Sequence, residues 1–99
     1  MRVRWLRTAV VEARDARLYY DARKQGLGAR FARELAATVR RVRELPLAWP
    51  EIDPPVRRAL VNRFPYLLHY AVESDTILIV GVYHAKRRPI SWRDRLKIR

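Results

Sequence analysis

Chemistry in this sequence is concentrated in the stretch YHAKRRPISWRDR, Tyr83 to Arg95. His84 is the one group there that can exchange a proton near neutral pH. Lys86, Arg87 and Arg88 follow it closely enough to stabilise phosphate charge. Together they could support a metal-free phosphodiester cleavage with His84 as general acid or base. The same histidine at a strand end could equally be a hydrogen-bonded rim residue, since no second acid or base accompanies it. Beyond Pro89, Trp92, Arg93 and Arg95 could form a recognition tail that stacks and pairs with a partner, or a helical turn packed back on a sheet.

Other standard sites are poorly served. The three glycines, Gly26, Gly28 and Gly81, form no phosphate loop, and Ser74 and Ser91 sit on no nucleophile elbow. With His69 and His84 as the two histidines and no cysteine, a zinc site would need carboxylates from distant parts of the chain. Glu73 and Asp75 fall where water would leave paired carboxylates with ordinary acidity. No metal or cofactor is expected.

The element that must position the cations is a hairpin. Phe64 to Glu73 and Thr76 to His84 are rich in Tyr, Val, Ile and Leu, with Glu73, Ser74 and Asp75 at the break. TILIVGVY hardly alternates, which predicts a strand covered on both faces in the middle of a sheet. His69, out of phase with Leu68 and Tyr70, is expected in an ordinary strand-surface role.

Upstream, Val3 and Trp5 alternate with Arg2, Arg4 and Arg7 as a short first strand. Thr8 can cap a helix carrying Ala9, Ala13, Ala16 and Tyr20 on one side and running to about Lys24. Gly26 or Gly28 can close it in the left-handed conformation. A second helix starts near Gly28, its stripe of Phe31, Leu35, Thr38, Val42 and Leu45 ending at Pro46. So short a link predicts an antiparallel αα-hairpin. PLAWPEIDPP, Pro46 to Pro55, reads as a surface connector in which Trp49 plugs a packing gap. Val56 to Arg63 predicts a further strand with Ala59 and Val61 inward and Arg58 and Asn62 outward. The sum is an α+β domain spanning 1–99: an N-terminal strand, the αα-hairpin, then a three-stranded antiparallel meander with the helices on one face.

Lys and Arg number 22 against 10 Asp and Glu, a formal charge of +12 on 99 residues. Such a surplus favours a polyanionic partner, nucleic acid or an acidic protein segment, although many single arginines only solvate helix faces. The absence of cysteine suits a reducing cytoplasm. MRVRWLRTAVVEARDAR holds no apolar run of signal-peptide length, and no membrane segment is expected.

The basic first strand, Tyr19 and Tyr20, GLGARF, RELPLAWP, Arg63-Phe64-Pro65-Tyr66 and the ending His84, Arg87, Arg88, Pro89, Trp92, Arg95 resemble the RelE/ParE toxin superfamily, closer to its ParE branch. The resemblance extends from about Val3 to Arg95. It implies the toxin of a type II toxin-antitoxin system, of the kind linked with plasmid stabilisation. Such a toxin is held inactive by a small ParD-like antitoxin whose acidic C-terminal segment wraps it, here against Tyr20, Phe31, Leu35 and Val42. ParE-like members are understood to poison DNA gyrase, which would make His84, Lys86, Arg87, Arg88, Trp92 and Arg95 the target-contact residues. RelE-like members cleave messenger RNA in the ribosome, using a tyrosine near the C-terminus; here no tyrosine follows Tyr83. A basic nucleic-acid-binding domain without toxicity is the third reading.

Overall fold

In a computed structural model that describes residues 1–98, Arg2–Trp5 (β1) is laid parallel against the last long strand, Thr76–His84 (β5), with Arg2 opposite Thr76 and Trp5 opposite Ile79. The amide of Leu6 donates to the carbonyl of Ile79 (3.0 Å), and the first helix begins at once as Arg7–Arg23 (α1). The cap is therefore Leu6, which offers no side-chain bond, and Thr8 lies inside the helix. The sheet fixes where the strand stops, so the turn into α1 comes before the hydroxyl that could have capped it.

Ala9 and Ala16 are buried in α1, and their small side chains let the helix approach the sheet closely. Leu27–Glu44 (α2) buries Phe31, Leu35, Thr38 and Val42, the stripe read from the sequence. Leu45 falls past the helix end and is 64% exposed. Both glycines of the link have a physical role. Gly26 takes φ +85°, while Gly28 donates its amide to the Asp21 carboxylate (2.9 Å) where a Cβ would strike Asp21 and the Arg17 carbonyl. The polar Thr38 is satisfied by donating to the Glu34 carbonyl (2.9 Å).

The proline-rich connector contains a strand the sequence reading did not include. Glu51–Asp53 (β2) pairs antiparallel with Val56–Leu60 (β3), and Trp49 packs partly buried against the core beside it. Proline is tolerated there because β2 is an edge, where a missing donor faces solvent. β3 is shorter than expected, ending at Leu60; Ala59 and Val61 are buried and Arg58 and Asn62 exposed as the alternation required. Arg63 turns the chain with φ 70°, and Tyr66–Glu73 (β4) starts two residues later than Phe64. The mixed sheet has the order β1-β5-β4-β3-β2. β5 is thus covered on both sides and buried from Ile77 to Tyr83.

The αα-hairpin closes one face of the sheet through an aromatic cluster in which Tyr20 meets Phe64 at 4.8 Å and Phe31 meets Tyr66 at 5.2 Å between ring centroids. The other face is covered in part. Trp92–Arg95 (α3), followed by a short 3-10 turn at Leu96–Ile98, folds back over it.

Candidate functional site

The cations sit on the turn that leaves β5. Tyr66 and His84 are register partners at the open end of the β4–β5 hairpin, their rings meeting edge to face at 5.2 Å. After His84 the backbone is pinned repeatedly, first by the Ala85 amide donating to the Pro65 carbonyl (2.8 Å). The Arg87 amide donates to the His84 carbonyl (3.1 Å), the Lys86 amide donates to His84 Nδ1 (3.0 Å), and the Tyr83 hydroxyl donates to the Arg88 carbonyl (2.8 Å). The Arg87 guanidinium lies 4.5 Å over the Tyr83 ring. Lys86, Arg87 and Arg88 remain exposed on this fixed turn, so their charges are presented without the ordering cost of a loose tail.

The wiring of His84 limits its chemistry. With Nδ1 occupied as an acceptor, the neutral ring carries its hydrogen on Nε2, which leaves a donor rather than a base. Beside it opens a cleft of about 570 Å³ lined by Tyr19, Tyr20, Pro65, Tyr66, His84 and Arg87, with no carboxylate among these residues. Burial raises the Tyr20 and Tyr66 hydroxyls above the usual phenol range, so both stay protonated at neutral pH. Among the described residues no group of three or more His, Asp or Glu is placed to hold a metal ion.

The remaining C-terminal candidates turn inward. Trp92, expected at a contact surface, is 4% exposed and stacks on His69 with centroids 3.7 Å apart and planes 12° from parallel. Arg95, also expected there, makes a bidentate pair with Glu12 of α1 (2.9 and 3.0 Å) and donates to the Val80 carbonyl (3.0 Å). Its task is local to the sheet. His69 pairs with Gly81 and Tyr70 with Ile79, so Val80 is an extra residue, a bulge whose carbonyl Arg95 takes. Glu12 also accepts from the Val82 amide (3.0 Å), beyond the end of β1. Arg93 ties the same segment to Asp53 of β2 at 3.4 Å. Of the two readings of this tail, the geometry is that of the helical turn packed on the sheet.

His69 was read as a strand-surface residue and is buried, 1% exposed. Its phase was right, opposite to Leu68 and Tyr70, but α3 covers that face. Nδ1 has no partner. Burial first, then the charges of Arg58 and Arg95, lower its pKa from 6.5 to about 3. Because the folded pKa lies below the unfolded one, the unfolded chain takes the proton first. The neutral folded form is at full stability above pH 6.5. Acidification from there toward pH 3 is expected to lower stability by up to about 1.4 kcal/mol per pH unit. Urea midpoints measured across this range should fall, and His69→Phe should flatten the slope.

Of the residues expected at an antitoxin surface, Phe31, Leu35 and Val42 are buried between α2 and the sheet, and Tyr20 is half-buried. Phe31 and Leu35 still border a shallow, mainly apolar cleft of about 360 Å³ with Trp5, Ala13, Ala32 and Ala36. Sequence reasoning missed Glu12 as the anchor of Arg95 and Tyr19 as a wall of the aromatic cleft. Tyr19 lies off the stripe of Ala9, Ala13, Ala16 and Tyr20, which was the available signal for the second.

No curated protein was found to match the chain. The fold is similar to that of a solved structure described as a chromosomal ParDE TA system from P. aeruginosa, with a TM-score of 0.77 at 17% identity, over 87% of this chain and 97% of that one. A family model for the ParE toxin of type II toxin-antitoxin systems, parDE, matches residues 3–89, from β1 through the cationic turn and short of α3. By that match the chain belongs to the ParE toxin family.

Proposed function

We propose that this protein inhibits DNA gyrase through the turn that follows β5 and is neutralised in the cytoplasm by a ParD-like antitoxin. The observation that carries the reading is the pinned turn itself: three exposed cations beside a histidine wired as a donor form a binding surface without a general base. Lys86, Arg87 and Arg88 make the contacts, with His84 as their support. Trp92 and Arg95 hold the sheet beneath them and act as positioning residues. An acidic antitoxin segment would be drawn by the +12 charge and could order on binding, laying apolar side chains over the cleft bordered by Phe31 and Leu35.

The test is a supercoiling assay with purified gyrase and relaxed plasmid, run beside a cell-free translation reaction. Parent toxin is expected to block supercoiling and spare translation. The double variant Lys86→Glu, Arg88→Glu alters side chains exposed on the turn, and it is expected to need at least about tenfold more protein for half-inhibition, the loss of two charge contacts. Full gyrase activity at large toxin excess would reject the proposal. Messenger cleavage in the translation arm would point to the RelE-type alternative.

A further inference from the structure

The cleft beside the cationic turn has a composition the gyrase reading does not require. Three tyrosines and a proline form its walls, His84 and Arg87 are its polar members, and no acid is among its described lining residues. Tyr19 is 50% exposed although it has hydrophobic neighbours within reach. Its ring is held edge to face by Tyr20 at 5.3 Å, and the Arg23 guanidinium lies 4.9 Å from its centroid. Arg23 also donates to the Tyr19 hydroxyl, so the half-exposed ring is held in place with a cation over it, the arrangement of a stacking platform rather than a core residue. The size, about 570 Å³, falls in the range of small-ligand sites. Arg87, which lines the cleft, stands between Lys86 and Arg88 on the exposed turn.

From this geometry we infer that the cleft binds an unpaired nucleotide of single-stranded nucleic acid, its base against Tyr19 and Tyr66 and its phosphate at Arg87. The chemistry is complementary at each point. A base has a π-face whatever its identity, which suits aromatic walls without a fixed hydrogen-bond code. A phosphodiester finds cations and protonated phenols, with no carboxylate among the described lining residues to repel it. Lys86 and Arg88, exposed on either side of Arg87, are the cations for the neighbouring phosphates of a strand. An acidic peptide could satisfy the cations but would leave the tyrosine walls without a planar partner. In sharing His84 and Arg87 with the turn this inference rests on the proposed function, yet it needs no gyrase to be tested.

Fluorescence anisotropy of the purified chain should be measured with a labelled twelve-nucleotide deoxythymidine strand, the ribouridine strand of the same length, a matched duplex and an abasic strand. The deoxythymidine strand is expected to bind more tightly than the abasic one, and the ribouridine arm tells whether the sugar matters. Tyr19→Ala, at an exposed position, is expected to weaken binding to the base-bearing strand roughly 5- to 150-fold, the worth of one stacked base. It should leave duplex binding unchanged, and Tyr19→Trp should restore the affinity. Arg87→Gln should reduce the salt slope by about one contact. Equal binding of abasic and base-bearing strands, or equal losses on strand and duplex for Tyr19→Ala, would overturn the inference while leaving gyrase inhibition as it stands.

Discussion

Trp92→Ala is expected to lower the unfolding free energy by about 3–5 kcal/mol, the range for removing a large buried aromatic side chain. The indole is stacked on His69, meets Tyr83 at 4.9 Å and lies under the Arg95 guanidinium at 4.7 Å, so its removal opens a cavity with three walls. The exposed His69 face would then admit water to Nδ1, and the acid sensitivity of that residue should shrink with it. Gly81 supplies an independent check. A Cβ at this position collides with the six-membered ring of Trp92, so Gly81→Ala should evict the indole by overpacking, at a cost of about 1–3 kcal/mol. Urea denaturation followed by tryptophan fluorescence and circular dichroism measures both. A loss below about 1 kcal/mol for Trp92→Ala would mean that α3 does not dock on the sheet in solution.

Arg95→Met should cost about 3 kcal/mol, the lower end of the range for breaking a buried ion pair by removing one partner. Both side chains are 14% exposed, so the carboxylate left behind keeps most of its desolvation penalty. The Val80 carbonyl loses its donor in the same step. The coupling is tested by a double-mutant cycle with Glu12→Gln. Glutamine can still accept from the Val82 amide without carrying a charge, so the double variant is expected to recover part of the loss, giving a coupling of at least about 1 kcal/mol. Additive losses would show that Glu12 and Arg95 act independently. Because β5 carries the turn that follows it, the same variants should also reduce toxin activity through the position of that turn.

Much of the fold was legible in local pattern. The α2 stripe from Phe31 to Val42 and the two apolar runs around Ser74 report the helical and strand periods directly, because each is set by backbone geometry within a few residues. The two-residue tip Ser74-Asp75 falls where the polar break put it, Glu73 pairing with Thr76. The edge strand Glu51–Asp53 was not legible, since prolines around it lower its own propensity and its pairing comes from β3. The α1 start was displaced by one ladder bond, that of Leu6 with Ile79.

By itself the sequence determined the strong basic charge, the two amphipathic helices, the buried hairpin and the delivery of His84 to Arg88 at its end. Which aromatic and cationic residues face out was settled by packing between distant segments. Trp92, Arg95 and His69 turned inward because α3 folds over the second face of the sheet and because Glu12 waits for Arg95 from 83 residues away. Periodicity tells which residues share a face, but whether that face meets water depends on a distant segment that no local period encodes.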